Sequence, residues 1–155
     1  MTEWKKILCA VDFSELSRIA MLHAAERARA AGAELTLVHV IPKTHASMIS
    51  SDVLSPTAGE VTEQRLEEMD TRMAPWVDEA AQVCGAPVRS RILSGDAAEK
   101  LIAFAREDGS DLVVIGTHGR TGVARALLGS VAEKVVREAP CSVLVARKSE
   151  GTTVA

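Results

Sequence analysis

Short apolar runs alternate with stretches in which apolar residues recur at helical spacing along most of the chain. Five runs predict strands, over residues 5–11, 34–40, 88–93, 111–115 and 141–146. The first run is apolar almost throughout, which is typical of a strand buried on both faces. The run 88–93 alternates between polar and apolar residues, which predicts a strand nearer the edge of a sheet.

Four helices are predicted between these strands. The first is predicted to begin at Ser14 as its N-cap and to end at Gly32. The others are predicted over residues 60–83, over 97–107 after Asp96 as a cap, and over 131–138. Pro75 is expected to start, kink or split the second helix. The segment 41–59, which is rich in Ser, Thr, Pro and Met, is predicted to be a long loop or lid.

The alternation of strands and helices predicts an α/β fold with one five-stranded parallel sheet and helices on both of its faces. We expect the strand order 3-2-1-4-5, because that order brings the carboxyl ends of strands one and four together, where such sheets bind ligands. A single domain is expected over residues 1–147, followed by a flexible C-terminal tail over 148–155.

The composition and charge of the chain limit the kinds of partner and location that we expect for it. The chain has 155 residues, of which 47% are hydrophobic, and a formal net charge of −3, so its bulk charge does not favour nucleic acid. We expect no membrane span and a cytoplasmic location, because no apolar run approaches about 18 residues and the N-terminal one is too short for a signal peptide. The three cysteines and four histidines show no spacing that is typical of a metal site.

A glycine-rich segment follows the fourth predicted strand and precedes the last predicted helix. Gly116, Gly119, Gly129 and Ser130 give the spacing G-x2-G-x9-G-S. Glycines allow backbone amides to turn toward a ligand, and the first amides of a helix attract anions, so the segment predicts a phosphate site. The Walker A and GxGxxG signatures are both absent from the sequence.

With this spacing, the chain resembles the ATP-binding branch of the universal stress protein family over about residues 3–147. Further shared features are Ala10-Val-Asp-Phe-Ser14, His39-Val-Ile41 and Pro140-Cys-Ser-Val-Leu-Val145. The resemblance implies a Rossmann-like fold of the adenine nucleotide alpha hydrolase type. It also implies a bound ATP. We expect Mg or Mn to accompany the ATP, held by the phosphates and water with little help from the protein, so no residue is assigned as a metal ligand.

The resemblance assigns roles to individual residues as well. It implies that Asp12 and the backbone around Val40 hold the adenine and ribose, and that Ile115 borders the adenosine. The phosphates would be lined by Gly116, His118, Gly119, Gly129, Ser130 and Val131. Ala132 stands where some members of the branch carry a second hydroxyl residue.

Several of these residues also have a purely structural interpretation, and His118 could be a solvent-exposed histidine of the turn. Ser130 and Glu133 match the capping-box pattern S-x-x-E, which starts a helix without any ligand. Gly116 and Gly119 could serve only a tight turn, and Asp12 could serve only to cap the first helix.

The function expected from the sequence is that of an ATP-binding regulatory protein of the stress response, a nucleotide-dependent switch or sensor. Hydrolysis is expected to be slow or absent, because the sequence shows no recognisable base, Walker B carboxylate or loop lysine. The alternatives are a weak ATPase or autophosphorylating enzyme, and a nucleotide-free interaction protein of the same fold. An uncharged edge strand over 141–146 predicts a homodimer, and a further, unknown protein partner is expected.

Overall fold

The computed structural model describes residues 3–43, 61–117 and 128–149, and strands alternate with helices throughout these ranges. Most of the predicted loop 41–59 lies outside the described residues. The elements in chain order are β1 (Lys6–Ala10), α1 (Glu15–Ala31), β2 (Glu34–Ile41), α2 (Glu63–Cys84), β3 (Arg89–Ser94), α3 (Ala97–Asp108), β4 (Leu112–Gly116), α4 (Ser130–Glu138) and β5 (Ser142–Ala146).

The five strands form one parallel sheet in the order β3-β2-β1-β4-β5, which confirms the predicted topology. In the central strand, Leu8 lies opposite Thr36 of β2 and Val113 of β4. The alternating strand β3 lies at one edge, as predicted, and β5 lies at the other. Because the strand order reverses beside β1, the carboxyl ends of β1 and β4 are neighbours.

The hydrophobic core has two layers, one on each face of the sheet. Ile7, Cys9 and Leu37 face α1 and α2 in the first layer. In the second, Leu8 and Val113 face α3 and α4. Successive residues of a strand point to opposite faces, so strands covered on both sides need apolar residues at every position. The near-continuous apolar run of β1 therefore follows from helices on both faces of the sheet.

Several predicted helix ends are confirmed. The side chain of Ser14 accepts a hydrogen bond from the amide of Ser17 at the start of α1, and Asp96 accepts one from Glu99 at the start of α3. Gly32 ends α1 with a φ of 64°, a conformation that glycine adopts without steric strain.

Helix α2 runs unbroken through Pro75 from Glu63 to Cys84, so the proline neither starts nor splits it. A proline inside a helix costs about 3 kcal/mol. Met73 lies just before it, and Ala80 and Cys84 lie after it, all in the same core layer. Burial of this apolar face on both sides of the proline offsets the lost backbone hydrogen bond. None of the helices in the described ranges has the length and apolar character that a membrane crossing requires.

Candidate functional site

A crevice opens at the carboxyl ends of the central strands, where the fold predicts a ligand site. It encloses about 210 Å³ and lies between the ends of β1, β2 and β4 and the first turns of α3 and α4. Of the predicted site residues it brings seven together in its lining: Asp12, Val40, Ile115, Gly116, Gly129, Ser130 and Val131. The other two, His118 and Gly119, lie outside the described residues.

The turn from β1 to α1 brings a carboxylate into the crevice. Oδ1 of Asp12 accepts hydrogen bonds from the amide of Ser14, at 2.9 Å, and from its hydroxyl. The amide of Asp12 donates in turn to Oγ of Ser17, at 3.3 Å. Because Ser14 caps α1, the alternative in which Asp12 caps this helix is wrong. The hydrogen bonds of Asp12 instead fix the shape of the turn.

Phe13, in the same turn, has an unusual backbone conformation. Its φ of 64° is the only positive φ of a non-glycine residue within the described ranges. The left-handed region costs a residue with a Cβ about 1–2 kcal/mol. The ring of Phe13 lies 4.6 Å from that of His39 and 5.6 Å from that of Trp76, measured between centroids. The guanidinium carbon of Arg72 lies 4.2 Å above the ring centroid.

Gly116, at the end of β4, permits a close approach to α1. A Cβ at this position would lie 3.2 Å from the carbonyl carbon, the oxygen and the Cβ of Leu16, which is tighter than ordinary van der Waals contact. The positive-φ glycines do not include Gly116, so the tight-turn alternative does not account for it. The glycine is needed because β4 and the start of α1 lie so close together.

Residues 117 and 129 meet where β4 ends and α4 begins. The amide of Thr117 donates to the carbonyl of Ala146, at 3.1 Å, which extends the pairing with β5. The amide of Gly129 donates to the carbonyl of Thr117, at 2.7 Å. The chain therefore returns to the end of β4 just before α4 starts.

The start of α4 differs from the predicted capping box. Gly129 is the N-cap, with φ −60° and ψ 157°, and no side chain in the described part of the chain makes a cap hydrogen bond there. Ser130 is already the first helical residue, and Glu133 is ion-paired with Arg137. A capping box needs the serine one position earlier relative to the helix, so that interpretation is wrong. The helix presents its first backbone amides without a capping side chain, an arrangement that suits an anion.

The inner wall of the crevice is apolar. It is formed by Val38 and Val40 of β2, Leu101 of α3 and Ile115 of β4, all of them buried. His39 lies beside them, and its Nδ1 donates to the carbonyl of Val11, because a carbonyl can only accept. The crevice thus combines an apolar interior with a mouth that carries the carboxylate of Asp12 and the N-terminal turn of α4, while the N-terminal turn of α3 also lines it.

Comparison with known proteins identifies the family. The sequence model of the universal stress protein family matches residues 3–147. The chain belongs to this family. Universal stress protein MJ0531 of Methanocaldococcus jannaschii is 35% identical over 147 residues, which cover 94% of this chain and 83% of that protein.

Solved structures of the family share the fold. Universal stress protein UspA from Lactobacillus plantarum has a TM-score of 0.80 at 25% identity, covering 95% of this chain and all of that one. A universal stress protein in complex with cAMP matches with a TM-score of 0.69 at 22% identity, covering 96% of this chain and 100% of that one. One from Archaeoglobus fulgidus, in complex with dAMP, matches with a TM-score of 0.69 at 23% identity, covering 94% of this chain and 100% of that one.

Sequence reasoning missed several residues that line the crevice of this universal stress protein. Ala97 and Leu101 come from the first turns of α3, and the buried polar residues Ser17 and Thr117 lie near the ends of β1 and β4. The signal for α3 was available, because its cap Asp96 comes two residues after the end of β3 and places that helix start at the same edge of the sheet. Ser17 lies at an apolar-stripe position of α1 and carries no such signal.

The described residues include no group of three or more His, Cys, Asp or Glu side chains that could hold a metal ion. Asp12 is the one carboxylate among the described residues of the crevice lining. A divalent cation commonly keeps several waters and binds through one or two carboxylates together with substrate phosphates. The residues present therefore fit a cation that arrives with a phosphate ligand.

Proposed function

We propose that this chain binds an adenine nucleotide in the crevice and works as a nucleotide-dependent regulatory protein of the stress response. One observation carries the proposal: the Asp12 turn and the start of α4, which no described side chain caps, line the same crevice beside its apolar wall. The two family structures with cAMP and dAMP support an adenine nucleotide as the ligand class, since they share this fold.

The parts of the crevice match the parts of a nucleotide. The wall of Val38, Val40, Leu101 and Ile115 suits the adenine, and the carboxylate of Asp12 suits the hydroxyls of the ribose as an acceptor. The amides of Ser130 and Val131 in the first turn of α4 suit the phosphates, whereas the amide of Gly129 is already bonded to Thr117. The crevice, at about 210 Å³, is smaller than the ~300–1,000 Å³ of typical ligand pockets. We therefore expect it to hold the nucleoside, with the phosphates at the mouth.

The family resemblance extends this phosphate site to His118 and Gly119 and favours ATP with Mg or Mn as the bound species. Regulation is favoured over catalysis by the chemistry of the lining. Among the described lining residues there is no lysine or arginine, and the Nδ1 of His39 is engaged by Val11. Phosphoryl transfer needs charge neutralisation and a positioned nucleophile, so we expect hydrolysis to be slow or absent.

Ser130 offers a direct test, because it lines the crevice but does not cap α4. Ser130→Ala is expected to change the free energy of unfolding by less than about 0.5 kcal/mol. It should weaken ATP binding about tenfold or more, since a hydrogen bond to a charged group contributes about 1.5–3 kcal/mol. Isothermal titration calorimetry with Mg-ATP and urea unfolding measure the two quantities.

The matched control is Ser149→Ala, which is exposed, follows β5 and lies outside the crevice lining. It should leave both quantities unchanged. A Ser130→Ala variant that loses stability but keeps its affinity would show a purely structural serine. Wild-type protein that binds none of ATP, ADP and AMP would overturn the proposed function.

We also propose that two copies pair through the edge strand 141–146. Strand β5 carries no charge, and Val143, Leu144 and Val145 are only half-buried within one chain. Val136 of α4, which packs beside β5, is 47% exposed. An uncharged edge of this kind is stabilised by pairing with the same strand of a second copy. Sedimentation analysis at micromolar concentration tests this, and a monomer there contradicts it.

A further inference from the structure

The left-handed backbone of Phe13 lies between the two residues that shape the mouth of the crevice. Asp12 precedes it and Ser14 follows it, and the carboxylate of Asp12 is hydrogen-bonded across it to Ser14. Glycine and asparagine adopt this conformation readily, whereas a bulky residue keeps it only when its surroundings hold it there. The contacts of the ring therefore determine whether the turn persists.

Aromatic and cation–π contacts join the Phe13 ring to three described side chains, those of His39, Trp76 and Arg72, and we call these, with Phe13, the Phe13 clamp. His39 lies beside the ring, 4.6 Å between centroids, and is itself fixed by its 2.7 Å hydrogen bond to Val11. Trp76 meets the ring edge-on, at 5.6 Å, and Arg72 lies over its face, at 4.2 Å. Arg72 and Trp76 are one turn apart on α2, so this helix supplies half of the clamp.

His39 lines the crevice itself, whereas the rest of the clamp acts on the crevice only through the turn. Phe13, Arg72 and Trp76 are not among the described residues that line the crevice, whereas Asp12 is. If the ring loses its contacts, the left-handed conformation at Phe13 loses its support, and the orientation of the Asp12 carboxylate changes with it. A ligand that requires this orientation then binds only to the fraction of molecules that still have it.

We propose that Phe13 is a positioning residue of the nucleotide site: the contacts of His39, Arg72 and Trp76 with its ring hold the turn that directs Asp12 toward the ribose. This inference rests on the proposed nucleotide binding. It makes α2 a part of the site that affects affinity without contacting the ligand. Because Arg72 and Trp76 both belong to α2, a change in the orientation of this helix would reach the crevice through Phe13.

A double-mutant cycle separates this role from a general effect of charge. Phe13→Leu is expected to weaken Mg-ATP binding about threefold to tenfold, and Arg72→Met about twofold to fivefold. Because Arg72 acts through the ring, adding Arg72→Met to Phe13→Leu should produce no further loss. Arg65→Met is the control, since Arg65 lies on the same helix, is exposed and pairs with Glu68 instead of a ring.

A spectroscopic readout tests the coupling to α2. The sequence has two tryptophans, so Trp4→Phe leaves Trp76 as the sole reporter. In that background we expect Mg-ATP to change the Trp76 emission with the same Kd as calorimetry, and Phe13→Leu to remove the change. If Phe13→Leu does not fold, the Mg-ATP affinities of Arg72→Met and Arg65→Met, both at exposed positions, still test the proposal.

The outcomes distinguish this proposal from the one on which it rests. Wild-type protein that binds no adenine nucleotide overturns both. Wild-type binding that is unchanged by Phe13→Leu overturns the positioning role alone. The positioning role is also overturned if Arg72→Met weakens Mg-ATP binding equally with and without the phenylalanine ring. The same holds if the Trp76 emission stays constant at saturating Mg-ATP.

Discussion

The close contact between β4 and α1 makes Gly116→Ala an informative perturbation. An added Cβ would lie 3.2 Å from the carbonyl carbon, the oxygen and the Cβ of Leu16. The backbone of Gly116 is not in the left-handed region, so strain in φ does not contribute to the effect. The expected destabilisation therefore comes from steric overpacking between a strand end and the first turn of a helix.

Its magnitude follows from two opposing terms. Overpacking in a tightly packed region costs about 1–3 kcal/mol, while alanine stabilises by about 0.4–1 kcal/mol because it restricts the unfolded chain. We expect Gly116→Ala to lower the free energy of unfolding by about 0.5–2 kcal/mol. For a chain of 155 residues, each kcal/mol lowers Tm by roughly 2–4 °C.

Urea unfolding of the ligand-free protein, followed by circular dichroism, measures the change. The matched variant is Leu16→Ala, alone and combined with Gly116→Ala. Two of the three closest atoms of Leu16 belong to its backbone and the third is its Cβ, all of which alanine keeps. Shortening Leu16 should therefore not rescue Gly116→Ala. A variant as stable as the wild type, or a full rescue by Leu16→Ala, would refute the steric argument.

Two further predictions concern the start of β4 and the edge of the sheet. Oδ2 of Asp111 accepts hydrogen bonds from the amides of Lys5 and Lys6, at 2.8 and 2.9 Å, and these bonds hold the pKa of the Asp111 carboxyl below its usual value. The wild type should therefore have a higher free energy of unfolding than Asp111→Asn at pH 7, and this difference should shrink as the pH falls below about 4 toward the lowered pKa. Urea unfolding at pH 7 and pH 3 measures the difference, and a difference that grows toward acid contradicts the prediction. Pairing through β5 predicts a Tm that rises with protein concentration and a dimer in sedimentation velocity, whereas a Tm independent of concentration argues against association.

The sequence was sufficient to predict the architecture because both of its main signals are local. Buried parallel strands give continuous apolar runs, as over Ile7–Val11, and the helix ends at Ser14, Gly32 and Asp96 follow from short-range hydrogen bonding. The strand order was predictable from the need to bring the ends of β1 and β4 together. The crevice at that edge, lined by seven of the predicted residues, follows from the same topology.

The remaining features depend on contacts between distant parts of the chain. Nothing local to Gly116 reveals that Leu16, a hundred residues earlier, approaches its backbone. Phe13 adopts a left-handed backbone conformation that bulky residues rarely take, and its ring contacts Arg72 and Trp76 of the distant helix α2. At Ser130 the local S-x-x-E signal was misleading, because the helix starts directly after Gly129, whose amide is bonded to Thr117.

The two outer strands differ in a way that limits how far copies of the chain can associate. Strand β3 exposes Arg89 and Arg91, and Arg89 is ion-paired with Glu34, whereas β5 has no charged residue. Charged side chains discourage strand addition, so only one margin of the sheet remains open to a neighbour. If two β5 margins join as proposed, both outer margins of the resulting ten-stranded sheet would be arginine-bearing copies of β3. Growth would then stop at that stage, and the arrangement would protect a protein with an apolar margin from polymerising into fibres.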